Sequence, residues 1–438
     1  MFTRYTAPVS INHRRPHMNL NSSPASWKNL LAVLVTLFSL TALAEKAVYS
    51  ASFADFDRRA RSSKPVSVVF FGGSLTWGSG ASDPERTSFR ALMEAHLKEK
   101  YPSAHFNFYN AAFGGTGSKL GMFRVGSDVL SHKPDLVFLE FTTADKLSGT
   151  DRETLGSYER ILRELISQGI PAMEVLLGTR DYFGTGWKHL GPTRLRDHLE
   201  MGNLYHTGIG NSFPPIQNFF RNEKRKREQI WPKGEVFPND VGHRFFFEAV
   251  RDGLDQAIRE QRVCYFPTDA IFADEYKIRS RFYPATGPLP TGWRVEKSLR
   301  TPLEADRISN DWMNQVAVAD KDDENVKPLQ FTFAGTFLGI LGEADKNGLG
   351  FTVSVDGEPM YFDEVEEEEI WPTSTARSGG GRRFFWYEIS DKLTPGRHTV
   401  EVRPFVGEDA GELRIESICV AGPGTDAPQS ISAQAAGL

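Results

Sequence analysis

Ser74 follows the apolar run Val66-Ser67-Val68-Val69-Phe70-Phe71 through Gly72-Gly73, and an amphipathic stretch comes soon after it. A serine at a sharp strand-to-helix turn exposes its hydroxyl, and the first N–H groups of the helix face any negative charge that develops there. This is a setting for a nucleophile, and equally for an ordinary Gly-Gly-Ser turn. Far downstream, Asp240 and His243 stand three residues apart, just ahead of the helix-like stretch Phe245 to Ile258. On one turn a carboxylate can orient an imidazole whose other nitrogen faces a serine, the division of labour of a Ser-His-Asp triad. The plainer alternative makes Asp240 a helix N-cap and His243 a first-turn surface residue. Acyl transfer by such a triad needs no metal or cofactor, and none is assigned.

The elements around these residues alternate. Short helical stretches at Phe53 to Arg61, Phe89 to Lys100, Leu120 to Leu130 and Tyr158 to Gln168 interleave with strand-like runs at 66–71, 106–110, 136–141 and 172–177. That order predicts a parallel sheet covered by helices, with chemistry at the carboxyl ends of the strands, where Ser74, Gly115 and Ala144 all fall. From about residue 263 the pattern changes to short aromatic and β-branched runs broken by turn pairs such as Asp356-Gly357 and Pro395-Gly396. This predicts a second, all-β domain, a sandwich spanning 263–421, with a tail over 422–438 that lacks periodicity and is expected to be disordered.

Taken together, the blocks resemble the SGNH, or GDSL-type, serine hydrolase family over residues 63–262. The resemblance implies a flavodoxin-like three-layer α/β/α sheet and an esterase. Ser74 matches the family nucleophile, with Gly73 where many members carry aspartate. Asn110-Ala111-Ala112-Phe113-Gly114-Gly115-Thr116 matches the second block and makes Gly115 the oxyanion-hole glycine beside the Ser74 N–H. Asp240 and His243 match the final Asp-x-x-His. The third block departs: Glu140-Phe141-Thr142-Thr143-Ala144-Asp145 has Ala144 where the family asparagine supplies a donor. Losing one oxyanion donor costs about 10² to 10³ in rate, roughly 3 to 4 kcal/mol. The Thr142 or Thr143 hydroxyl, or the Asn110 amide, is a candidate substitute; the ionised Asp145 is not.

The 438 residues carry a net charge of −5 and give no electrostatic reason to bind nucleic acid. The apolar run Leu30 to Leu40 follows Lys28 and ends in Ala42-Leu43-Ala44, which predicts a signal peptide over 1–44 and a secreted or periplasmic protein with no stable membrane span after cleavage. The alternative is an uncleaved anchor. Cys264 and Cys419 bracket the β domain and could close it with a disulfide. His189, His198 and His206 lack ligand spacing and are taken as surface or loop residues. Tyr182, Phe183 and Trp187 either line a cleft or pack a lid. Arg221, Lys224, Arg225, Lys226 and Arg227 alternate with acids, and the acidic run from Glu364 to Glu369 has no EF-hand spacing, so both are taken as solvated segments. Trp371, Trp386 and Tyr387 are core residues or sugar platforms.

Three activities stay open. The first is a carbohydrate O-acetylesterase, since an SGNH-like domain joined to a sandwich looks like esterases that deacetylate polysaccharides. The others are a silent domain that binds polysaccharide and an acetyltransferase acting on envelope glycans. Oligomeric state is left open.

Overall fold

The computed structural model describes residues 51–145, 153–183, 193–221, 226–265, 267–272, 274–299, 313, 315–320, 325–378, 381–405 and 411–423. The expected signal peptide, Trp187, His189 and the tail beyond residue 423 lie outside them.

After α1 (Phe53–Ala60), five strands form one parallel sheet: β1 (Pro65–Gly72), β2 (His105–Ala112), β3 (Leu136–Glu140), β4 (Ala172–Leu176) and β5 (Gly208–Asn211). Their order is β2-β1-β3-β4-β5, the doubly wound flavodoxin-like order that the family resemblance implies for the parallel sheet read from the alternation. β3 and β4 are buried at every position, as strands covered by helices on both faces must be. Between the strands run α2 (Ser74–Trp77), α3 (Phe89–Lys100), α4 (Ser118–Arg124), α5 (Glu153–Ser167), α6 (Thr193–Tyr205) and α7 (Phe213–Phe220), and α8 (Asp240–Arg259) closes the layer. The expected helix from Leu120 to Leu130 is α-helical only to Arg124 and continues as a π turn over Val125–Val129. Among the described residues, no helix is long and apolar enough to cross a membrane.

The antiparallel part begins at β6 (Ile278–Phe282) and ends at β15 (Glu412–Gly422). One sheet has the order β13-β10-β15-β8-β7, with β6 also pairing β15; the other has the order β12-β11-β14-β9. Here β7 is Trp293–Lys297, β8 Gln315–Asp320, β9 Leu329–Gly335, β10 Phe337–Ala344, β11 Phe351–Val355, β12 Glu358–Met360, β13 Arg383–Ser390 and β14 Gly396–Pro404. A sandwich strand should bury one face and wet the other, yet all eight residues of β10 are buried. Leu338 and Ile340 face the sandwich interior, whereas Phe337 and Leu341 join the core of the α/β domain. The same split runs along β15, where Ile418 and Val420 face inward and Cys419 and Ala421 face the first domain. One face of this sheet thus completes a core shared with the α/β domain, while the sandwich interior forms a second core of its own.

Cys264 and Cys419 do not bridge: each is free and buried within that shared core. Burial pushes both thiols up to about 12. His198 is not a surface residue either; it is buried with its ring edge-on to Tyr158 at 4.5 Å. Phe183 stacks on Phe213 and Trp231, which makes it packing rather than cleft lining. Trp371 is buried in the sandwich and donates through Nε1 to the Met360 carbonyl at 3.1 Å.

Candidate active site

In a sheet of this order the crevice lies beyond the carboxyl ends of β1 and β3, where successive connections leave on opposite sides. The turn after β1 lies at that point. The Gly73 N–H bonds the Glu140 carbonyl oxygen at the end of β3, at 3.2 Å. A methyl group built on Gly73 would come 3.4 Å from the Thr116 carbonyl oxygen and 3.8 Å from Ala144 Cβ. The loops after β1, β2 and β3 thus meet at Gly73, and the three sequence blocks are brought together.

Ser74 opens α2 and is half-buried. Its carbonyl accepts from Gly78 and Ser79, which closes the turn. Among the described residues, the Ser74 hydroxyl has no hydrogen-bond partner, and neither the Ser74 nor the Gly115 N–H has an acceptor. Gly115 is exposed at φ 77°, a backbone state that favours glycine. These are the two main-chain donors assigned from sequence.

Neither threonine hydroxyl stands in for the missing amide at Ala144. Thr142 Oγ1 is buried against the Glu140 carboxylate and the Leu177 carbonyl oxygen, each at 3.2 Å. Thr143 Oγ1 also turns to Glu140, at 3.4 Å. Asn110 Oδ1 accepts from the Ala112 N–H at 3.1 Å, which leaves its Nδ2 donors uncommitted among the described residues. Asp145 caps α4 by accepting from the Ser118 N–H at 2.8 Å. Beneath the turn, Glu140 also accepts from Thr76 Oγ1 at 3.1 Å, and burial raises its pKa against the hydrogen bonds that lower it.

The Asp-x-x-His pair is not joined to Ser74. Asn239, not Asp240, caps α8, accepting from the Val241 and Gly242 N–H groups. His243 is buried inside α8. Its Nδ1 accepts from the Phe89 N–H at 3.3 Å, and its Nε2 lies 3.1 Å from the Ser79 carbonyl oxygen. Asp240 accepts from the Ser82 N–H at 2.8 Å, Ser82 Oγ at 2.6 Å and Thr87 Oγ1 at 2.8 Å. The pair lies on one face, as its spacing requires, but that face clamps the segment between α2 and α3. Burial depresses the His243 pKa to about 4. Partial burial opposes the Asp240 carboxylate, but the hydrogen bonds from Ser82 and Thr87 outweigh it and hold its pKa below the usual value.

Sequence reasoning missed the contribution of the β domain to this face. Phe384, on β13, stacks at a tilt on Phe113 with centroids 4.6 Å apart, and a methyl group on Gly115 would come 3.3 Å from its Cζ. Lys119 on α4 reaches Glu388 Oε2 at 2.6 Å and Asp391 at 3.5 Å. Trp386 packs on Phe123 and Phe337 at the seam between domains. Nothing local in the sequence signals contacts that span some 270 residues.

The order of the sheet and its flanking helices fit the SGNH fold, joined here to a β-sandwich. Residues 70–245 match the model of the GDSL-like Lipase/Acylhydrolase family. No curated protein matches the chain. Among solved structures the chain is similar to a two-domain esterase (CEX) active on acetylated mannans, co-crystallised with mannopentaose: 21% identity, TM-score 0.65, covering 85% of this chain and 95% of that one. A second structure of that esterase gives TM-score 0.63 at 21% identity, over 84% of this chain and 93% of the other. At this identity the likeness bears on the fold, and it extends through both domains.

Proposed function

We propose that the chain removes ester-linked acyl groups, acetyl above all, from a carbohydrate, with Ser74 as the nucleophile. The observation that carries this reading is the junction of three strand ends at Gly73, with the Ser74 hydroxyl and the Ser74 and Gly115 N–H groups unpaired there. Ser74 attacks the ester carbonyl as its proton is taken up by the base, and the two N–H groups hold the developing oxyanion. The sugar–oxygen bond to the acyl carbon breaks, the sugar leaves as its hydroxyl with that proton, and water then cleaves the acyl-enzyme to acetate and free Ser74. His243 acts as base in this scheme only if both main-chain bonds are given up: Nε2 must leave the Ser79 carbonyl and pass its proton to Nδ1, and Nδ1 must leave the Phe89 N–H. The carbohydrate is supported by a two-domain architecture like that of the esterase active on acetylated mannans, an argument from architecture. Export directed by residues 1–44 fits a polymeric substrate outside the cell; N-terminal sequencing of secreted protein starting elsewhere than just after Ala44 argues against that boundary.

The test is acetate release from acetylated mannan and hydrolysis of p-nitrophenyl acetate by the parent and Ser74→Ala. Turnover in the parent that disappears in Ser74→Ala supports the reading; equal turnover in both removes Ser74 from the chemistry. A second reading, glycan binding without hydrolysis, is favoured by one observation: both ring nitrogens of His243 are occupied by main-chain groups. It expects no turnover from either protein and retained affinity for the glycan.

A further inference from the structure

Away from the Ser74 turn, the β-sandwich holds a cleft of about 610 Å³ between the end of β13 and the segment that follows β12. We infer that this cleft binds a neutral, hydroxyl-rich glycan chain, a subsite for the substrate of the reading above, on which the inference rests. A pyranose ring offers an apolar face of C–H groups and a rim of hydroxyls, so a protein site for it pairs an open aromatic face with hydrogen-bonding groups at the margin. Both are present. Phe362 is 41% exposed, although a large apolar ring would ordinarily be buried, and Tyr361 beside it is half-buried. Phe362 stands edge-on to Trp371 at 5.5 Å and to Tyr387 at 5.7 Å. The two supporting rings are pinned in turn: Trp371 Nε1 donates to Met360, and the Tyr387 hydroxyl donates to the Pro372 carbonyl. A platform held this way loses little conformational freedom when a ligand stacks on it.

The margin supplies Glu364 and Ser390, with Glu388 and Asp391 at the end nearer the α/β domain. Lys119 pairs with both of the last two carboxylates and Lys392 also lines the cleft, so two cations offset Glu388 and Asp391 there and that end does not call for a cation or a basic peptide. The same lysine ties the cleft to the Ser74 face, because it lies on α4, directly after the loop that carries Gly115. A volume of this size suits a short run of sugar residues within the ordinary range of ligand sites.

The test is isothermal titration of the full chain with mannopentaose and with xylopentaose, for the parent, Phe362→Ala and Tyr361→Ala. One of the two sugars is expected to bind the parent, and at least about tenfold more weakly to Phe362→Ala, as for truncation of a central aromatic contact. Thermal unfolding checks that the variant is folded; if Phe362→Ala is not, Tyr361→Ala is read in its place. Binding of neither sugar to the parent, or equal affinity in parent and folded variants, overturns the inference. No turnover enters this measurement. A chain that binds sugar but hydrolyses nothing keeps the cleft and loses the esterase reading, and one that hydrolyses p-nitrophenyl acetate through Ser74 but binds neither sugar does the reverse.

Discussion

The Nε2 of His243 lies 3.1 Å from the main-chain oxygen of Ser79, five residues beyond Ser74, while its Nδ1 takes the Phe89 N–H at the start of α3. The two bonds set the tautomer: Nε2 carries the proton and Nδ1 keeps its lone pair. A second proton at Nδ1 would be driven against an N–H group and against the positive end of a helix, in a buried site. Burial and this donor geometry both keep the ring neutral, and its pKa falls to about 4.

That depression has a signed consequence for stability. The unfolded chain takes up a proton near pH 6.5 and the folded one only near pH 4. The His243 contribution is therefore complete above about pH 6.5 and is lost as pH falls toward 4, by something of order 3 kcal/mol. Burial lowers His96 too, with the same sign, whereas Glu174, raised to about 8 by burial, acts oppositely as pH rises from its unfolded value. The difference between parent and His243→Gln cancels those terms. Urea unfolding at pH 7.5, 6 and 5 should show the parent losing stability more steeply than the variant on acidification, and parallel curves would refute the assignment.

In the proposed oxyanion hole Ala144 supplies no side-chain donor, and its Cβ is close enough to Gly73 for a longer side chain to reach the Ser74 opening. Ala144→Asn should raise kcat for p-nitrophenyl acetate by up to about 10², with a much smaller change in KM, because an oxyanion donor acts on the transition state. A change confined to KM would count against an unfilled hole.

Phe337 packs on Phe123, Tyr276 and Trp386 and is fully buried where the two domains meet. Phe337→Ala should cost about 3 to 5 kcal/mol and lower a single unfolding transition in calorimetry. Two separated transitions in the parent would show that the shared core does not couple the domains.

Both cysteines lie in that core with their thiols raised to about 12. A thiol-specific reagent should find two thiols per chain in denaturant without reductant, and almost none in the folded protein at pH 8, because thiolate and access are both lacking. A count of zero in denaturant would mean that a bridge forms after all.

Periodicity was enough for the architecture. Alternating strand and helix runs up to Arg259, followed by aromatic strands with turn pairs, set the parallel layer and the sandwich through local patterning. The position of Ser74 at a strand end was legible for the same reason, since the turn that exposes it is made by its immediate neighbours. The partners of His243 were not legible. The spacing of Asp240 and His243 dictates that they share a helix face, but what lies opposite depends on how residues 79–89 pack from more than 150 positions away. The same holds for Phe384 over Gly115, for a β10 strand buried on both faces, and for two cysteines that end up in one core without bonding. Local pattern decides which face of an element is apolar or reactive; only the assembled tertiary structure decides what that face meets.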